Sequence, residues 1–190
     1  MAKPSATISS QIKNLSREQL EKLVLKAAAK DKSFHDYLLV NFFDKEFGEQ
    51  DLFEQAKADL DLLFKKSYKG FAQEEKLGNM LAACSKRIIE FGKICKLKNM
   101  EADLVMYVLA IPFSLQNNLF GTCFTNYDYR VGLLVKKMIS LLENKIQEDF
   151  KMEYKNRINS YLSILHNTSG HLNTINALPC LLYTSPSPRD

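Results

Sequence analysis

Histidine is the natural starting point, because imidazole is the commonest metal ligand and a frequent general base near neutral pH. The chain has three histidines, His35, His166 and His171. A helical zinc pair needs two histidines four residues apart, whereas His166 and His171 are five apart across a polar stretch that predicts a loop. His35 lies beside Asp36 in the first turn of a predicted helix. We interpret all three as solvated or capping side chains, and we predict no metal or other cofactor.

Two of the four cysteines lie on one apolar helix face. Cys84 and Cys95 are eleven residues apart, about 16 Å along a helix, whereas a disulfide needs Cα atoms within about 7 Å. We therefore predict that both are buried and reduced. Cys123 falls in a predicted loop with no histidine near it in sequence, so we do not expect an activated nucleophile.

The chain lacks the short motifs that carry phosphate, dinucleotide, serine-hydrolase or zinc-protease chemistry. Its carboxylates fall mainly in first helical turns and its lysines in last turns, where they complement the helix dipole. The sequence therefore predicts no catalytic residues and a protein that is not an enzyme. An enzyme of unrecognised type stays the third alternative.

Charge gives only a minor indication of nucleic-acid binding. The 26 basic and 22 acidic residues leave a formal net charge of +4. The most basic cluster, Lys93, Lys96 and Lys98, has neither arginine nor interleaved aromatic residues. Association with nucleic acid is therefore the second alternative, behind binding to a protein.

The candidate partner-binding residues are Tyr127, Tyr129 and Arg130. They follow a glycine-containing loop with Phe120 and Phe124, and tyrosine and arginine are the residue types that most often anchor protein interfaces. The alternative is that the two phenylalanines fold the loop onto the core while the tyrosines pack the next helix. If the three residues form an interface, their replacement by alanine weakens binding and leaves the melting temperature nearly unchanged.

Apolar residues recur three and four positions apart along most of the chain, which predicts helices throughout. The clearest helix begins after Ser16, which forms a capping box with Gln19, and runs to about Lys30. Further predicted helices span about 33–44, 51–68, 73–97 and 99–112, where Pro112 kinks or ends the last. A long helix is predicted from a cap formed by Thr125 and Asp128. It either continues to about residue 165 or breaks near Gln147.

The predicted fold class is all-α, with an irregular, solenoid-like stack of antiparallel helical hairpins slightly favoured over a compact helical bundle. The predicted organisation is a flexible segment over 1–14, one all-α domain over 15–166 and a polar segment over 167–179. The remaining residues, 180–190, form a tail of different composition.

Three segments resemble a small all-helical bacterial family known only as a domain of unknown function. They are Leu-Ser-Arg-Glu-Gln-Leu-Glu at 15–21, Ala-Asp-Leu-Val-Met-Tyr at 102–107, and Arg157-Ile158. The resemblance spans about residues 15–165 and implies an all-α fold. It implies no activity, because the family has none assigned.

The tail over 180–190, Cys-Leu-Leu-Tyr-Thr-Ser-Pro-Ser-Pro-Arg-Asp, resembles the translation of a transposase adapter used in DNA library preparation, with no mismatch. We therefore expect the natural protein to lack these residues and to continue differently after about Leu178, so that the polar segment before them is truncated. We also expect the tail to be extended and unpacked.

The sequence as a whole predicts a non-catalytic helical domain that binds another macromolecule, most simply a protein. Its longest nearly apolar run, over 104–115, is 12 residues, too short for a membrane span of about 20. No secretory signal precedes it, so we expect a cytoplasmic protein without a membrane partner. The sequence leaves the oligomeric state open.

Overall fold

The computed structural model describes residues 5–43, 48–146 and 148–182, and all the regular structure in these ranges is helical. The all-α prediction is therefore confirmed. The chain divides into two compact units, Met1–Gly48 (unit 1) and Glu49–Asp190 (unit 2), so the domain predicted over 15–166 spans their boundary. The helices are α1 (Ala6–Lys13), α2 (Arg17–Lys30), α3 (Lys32–Leu38), a π-helical turn (Leu39–Phe43), α4 (Gly48–Lys65), α5 (Gln73–Ile94), α6 (Lys98–Ser114), α7 (Thr125–Asn144), α8 (Glu148–Ser169) and α9 (Asn173–Asn176).

Unit 1 has well-formed caps but very little core. The predicted capping box is confirmed, because the Ser16 N–H donates to Gln19 Oε1 at 3.0 Å and the Gln19 N–H to Ser16 Oγ at 3.3 Å. Asp31 caps α3, which begins at Lys32, close to the predicted start at about residue 33, since its carboxylate accepts from two backbone N–H groups. Helix α1 lies within the segment predicted to be flexible. No side chain of α2 is buried.

The core of unit 2 is built around α7. Helices α5, α6, α8 and α9 all pack against it, and the most extensive contact joins α5 to α7, which are not consecutive. In a solenoid each repeat contacts only its sequence neighbours, so this packing is that of a helical bundle and not of the stack that the sequence slightly favours. Helix α6 is buried on most sides, as expected from its apolar sequence.

Helix α4 joins this core through side chains. Phe53 meets Phe91 of α5 edge to face, with 6.3 Å between ring centroids, and Phe64 packs on Tyr107 of α6 at 5.5 Å. Arg87 of α5 donates from Nε to Asp59 Oδ2 at 2.8 Å. The α4 face that carries Leu52, Ala56 and Leu60 is fully buried, in agreement with the predicted apolar stripe.

Several helix ends differ from the prediction by a few residues. Pro112 lies inside α6, which continues to Ser114. The long C-terminal pattern is two helices, since α7 ends at Asn144 and α8 begins at Glu148, while Gln147 lies outside the described residues. The segment predicted to be polar over 167–179 adds Ile175 and Leu178 to the core.

Candidate partner-binding site

The site forms where the loop after α6 turns into α7. Gly121 has a φ of 76°, and a Cβ placed on it would lie 2.6 Å from the Thr168 carbonyl oxygen at the end of α8. Only glycine allows this left-handed turn and this close approach without strain. The loop is therefore held against α8 just before α7 begins.

A hydrogen bond from the loop to the buried side chain of Asp128 connects the loop to α7. The sequence predicts that Asp128 completes a cap with Thr125, but Thr125 is already helical and Phe124, the capping residue, offers no side-chain bond. The buried Asp128 instead accepts from the Gly121 N–H at 3.2 Å. Burial raises the pKa of Asp128 above its usual value, although the Gly121 and Ser169 hydrogen bonds oppose that shift.

Tyr127 belongs to the core, which corrects its prediction as a partner-binding residue. Its side chain is 1% exposed and stacks on Phe120, with 5.3 Å between ring centroids. Residues 127 and 129 point about 200° apart around a helix, so both cannot face one partner. Burial raises the pKa of Tyr127, and its hydroxyl has no hydrogen-bond partner among the described residues.

Tyr129 and Arg130 remain together at the surface. Tyr129 is 41% exposed, and Cζ of Arg130 lies 5.6 Å from the centroid of its ring. This distance is within the range of a cation–π interaction, which holds the guanidinium over the aromatic face. Arg130 Nε is shielded from water and meets no acceptor in the part of the chain described.

Two cavities flank the first turn of α7, and Thr125 and Asn126 line both. One, of about 330 Å³, includes Tyr129 and is bounded by Leu172 and by Asn173 and Thr174 of α9. The other, of about 310 Å³, is bounded by Glu75 and Asn79 of α5 and by Cys123. The Tyr129–Arg130 pair therefore lies beside a concave surface, the shape that binding sites commonly have.

His35 and His171 are placed as expected, but the loop predicted around His166 is wrong, because α8 continues through it to Ser169. His35 is mostly exposed and its Nδ1 lies 3.2 Å from the carboxylate of the buried Asp36. His171 is exposed.

Ser169 is completely buried near Asp128, so no substrate could reach its hydroxyl. Within the described ranges, no group of three or more metal-ligating side chains is close enough to share an ion.

The predicted burial of Cys84 and Cys95 is confirmed, but their shared helix face is not, because α5 ends at Ile94 and Cys95 follows it in an extended conformation. Cys84 and Cys95 are buried and free, and Cys123 is exposed. Burial raises the pKa of Cys84 to about 12 and that of Cys95 to about 11. Both thiols therefore stay protonated near neutral pH.

An ion cluster inside unit 2 was missed by sequence reasoning. Glu101 was predicted to serve the helix dipole, but it is 4% exposed and binds Lys98 at 2.9 Å and Lys137 at 2.6 Å. Burial raises the pKa of Glu101, yet the two lysines more than offset this and hold it below its usual value. Lys98 also donates to the Gly92 and Cys95 carbonyls, so the predicted basic cluster is partly turned inward.

A second missed feature is a polar pair on α8. Asn159 and His166 hydrogen bond to main-chain atoms of the segment that follows α9. Their spacing of seven residues, two helical turns, was the signal available, because such residues share a face. The bonded residues lie 13 and 23 positions further along the chain, so local periodicity could not reveal them. Because Leu182 binds Asn159, the expectation that the tail over 180–190 is unpacked is wrong for its described beginning.

No protein-family model, curated protein or solved structure matches the chain. In the part of the chain described, no helix combines the length and the apolar character that crossing a membrane demands.

Proposed function

We propose that this chain is a non-catalytic helical domain that binds another protein through the surface around Tyr129 and Arg130. The observation that carries the proposal is the placement of an exposed tyrosine and an arginine, in contact with each other, beside an open cavity. Large, semi-rigid aromatic and guanidinium side chains at the edge of a concavity are typical of residues that dominate protein-binding energies.

The scaffold supports this proposal because it orders the two side chains before a partner arrives. Both lie on α7, the helix around which the bundle of unit 2 packs. The neighbouring loop is fastened by the Asp128 hydrogen bond and by the close approach of Gly121 to α8. A partner would therefore lose little binding free energy to ordering this surface.

The experiment compares proteins captured from cells by the unmodified chain and by the double variant Tyr129→Ala/Arg130→Ala. We expect captured partners to bind the variant about 10- to 1000-fold more weakly, which corresponds to about 1 to 4 kcal/mol for two interface anchors. The melting temperature should stay nearly unchanged, since Tyr129 is exposed and Arg130 is only partly buried.

A matched control is Tyr37→Ala/Arg157→Ala, which removes another exposed tyrosine and arginine. Tyr37 is 45% exposed, close to the exposure of Tyr129. Equal capture by all three proteins would contradict the proposed surface.

The same capture tests the alternative of association with nucleic acid. Lys96, Lys98 and Lys145 line a cavity of about 280 Å³, the observation that favours this alternative. Capture that nuclease treatment abolishes, and that weakens steeply as salt is raised, would support nucleic acid in place of a protein partner.

A further inference from the structure

The end of α4 and the loop that joins it to α5 carry positive charge without a compensating acid. Lys65 is the last residue of α4, Lys66 and Lys69 follow it in the loop, and all three side chains are exposed. No acidic residue occurs over 62–73. Residues 65–71, which we call the basic loop, therefore present three positive charges on the surface of unit 2.

Phe71 is fully exposed in the basic loop. Among the described residues, no other large apolar side chain is more exposed. Leu62 is also largely exposed and lies three residues before Lys65 on α4, so these two side chains share a helix face. Exposed apolar and cationic side chains are therefore interleaved over 62–71.

Hydrogen bonds to its main chain hold the basic loop in place. The Phe71 N–H donates to Glu75 Oε2 at 2.8 Å, and Asn79 Nδ2 donates to the Lys69 carbonyl at 2.9 Å. Gly70 allows the turn between these two bonds, because its φ is 147° and a Cβ on it would lie 2.7 Å from Glu75 Cβ. The bonds fix the backbone while the Phe71 ring stays in solvent.

An anionic lipid surface fits this combination better than a nucleic acid does. The Phe71 ring has no polar atom, so it can enter the boundary between headgroups and acyl chains while lysines attract the headgroups around it. Aromatic residues that stack on bases belong to a basic groove that follows the phosphate backbone. Phe71 is instead exposed on all sides, and the basic loop has no arginine for bidentate phosphate contacts.

We propose that the basic loop binds the surface of a membrane that contains anionic lipid, with the Phe71 ring inserted between headgroups and the three lysines next to them. Such peripheral contact needs no apolar run of membrane-spanning length, so it departs from the expectation of no membrane partner that this criterion gave. None of the loop residues belongs to the Tyr129–Arg130 surface. The inference therefore goes beyond the proposed function and is tested separately.

The first test uses the fact that the chain contains no tryptophan. Phe71→Trp introduces a single indole, a group common at membrane interfaces, whose emission moves to shorter wavelength when it leaves water. The probe is a vesicle of phosphatidylcholine with about 30% phosphatidylserine, which supplies the negative surface. We expect the shift with these vesicles and a much smaller one with phosphatidylcholine alone.

The control for this test is Phe43→Trp, the same substitution at another largely exposed phenylalanine, which lies in unit 1. Its emission should not change when anionic vesicles are added. No shift in either variant, or an equal shift in both, would overturn the insertion of Phe71.

The second test leaves Phe71 in place and removes the charge of the basic loop. Each lysine near an anionic surface contributes about fivefold in affinity. Lys65→Gln/Lys66→Gln/Lys69→Gln should therefore bind the anionic vesicles at least about 10-fold more weakly than the unmodified chain, as measured by sedimentation with the vesicles. Unchanged binding would contradict the proposal.

A matched control removes the same charge from exposed positions elsewhere in unit 2, in the variant Lys86→Gln/Lys93→Gln/Lys136→Gln. This variant should bind the vesicles as the unmodified chain does. If it lost as much affinity as the loop variant, the attraction would follow net charge and the assignment to the basic loop would be wrong. A single-stranded oligonucleotide that changes the emission of Phe71→Trp, when vesicles do not, would identify nucleic acid as the partner instead.

Discussion

Gly92 and Glu101 show how a single missing methyl group can admit a buried charge. A Cβ placed on Gly92 would collide with the Glu101 carboxylate, which sits between Lys98 and Lys137. The glycine therefore makes room for the one acidic group that joins α5, α6 and α7 at this point.

This contact predicts a strong coupling between the two residues. Gly92→Ala should lower the free energy of unfolding by about 1 to 3 kcal/mol, because the added methyl overpacks the site. In a Glu101→Ala background the same change should be neutral or stabilising by up to about 1 kcal/mol, since alanine favours helix more than glycine does. Urea denaturation of the four proteins measures the coupling.

Gly78→Ala is the matched control for that cycle. It also adds a methyl group to α5, but its nearest neighbour would be the Asn126 side-chain amide at 3.3 Å. Its effect should be the same whether or not Glu101 is present. If Gly92→Ala lowered the free energy of unfolding by the same amount with and without Glu101, the steric explanation would be contradicted.

Asp128 predicts a pH dependence of stability. Its pKa is raised above 3.8 in the folded chain, chiefly by burial, so the folded state holds this proton more tightly than the unfolded state does. The stabilisation is complete below about pH 3.8 and is lost as the pH rises through the folded pKa. Relative to Asp128→Asn, the unmodified chain should therefore become less stable across that window and stay so at neutral pH.

Urea unfolding at intervals between about pH 3 and pH 8 tests this expectation, because the difference between the two proteins isolates one carboxyl group. Glu143→Gln, at an exposed position near the end of α7, serves as the control and should follow the unmodified chain. A difference between Asp128→Asn and the unmodified chain that does not change with pH would show that the carboxyl titrates alike in both states.

At the scale of elements, α5 predicts the reactivity of the thiols. Cys84, on the apolar face of α5, and Cys95, just after its last residue, are buried, whereas Cys123 and Cys180 are exposed. Labelling of the native chain should therefore give two fast thiols and two slow ones, and denaturant should equalise them. Cys123→Ser should remove one fast thiol only. Fast labelling of Cys84 would mean that this face of α5 opens readily to solvent.

Elements defined by neighbours in sequence could be predicted, and those defined by distant contacts could not. The Ser16–Gln19 capping box joins residues three apart, and the apolar stripe of α5 repeats within one helix. The Glu101–Lys137 pair joins residues 36 apart. Nothing in the local pattern around either residue indicates the other.

The candidate site was predicted in part for a similar reason. The run from Tyr127 to Arg130 is contiguous in sequence, but a helix turns about 100° per residue, so it divides this run between core and surface. Tyr129 and Arg130 face outward while Tyr127 stacks on Phe120. The sequence does not show which side of α7 faces the core, so it could not assign Tyr127 to the core and the other two residues to the surface.

At the scale of the whole molecule, the two units should differ greatly in local stability. Among the described residues of unit 1, the only buried side chains are Asp36 and Val40, whereas α7 alone buries a continuous apolar face. An isolated helix of the length of α2, 14 residues, is marginal in water. Unit 1 therefore has few interactions of its own that resist local opening.

Amide hydrogen exchange measures this difference directly. We expect α2 amides to exchange within about 10-fold of the unfolded-chain rate, and central α7 amides at least about 1000-fold more slowly. The exposed Leu25→Ser should leave both rates unchanged, whereas the buried Leu81→Ala should accelerate exchange in α7. Equally slow exchange in α2 and α7 would contradict a weakly packed unit 1.

The absence of buried residues in α2 also affects which substitutions the gene for this chain can accumulate over generations. Most substitutions within codons 17–30 alter a side chain that touches no core, so only proline, glycine or the loss of a cap should carry a folding penalty. Ten of the residues encoded by codons 125–144 are buried, and most substitutions that change side-chain volume there should be selected against. The two helices should therefore accumulate replacements at very different rates within one reading frame.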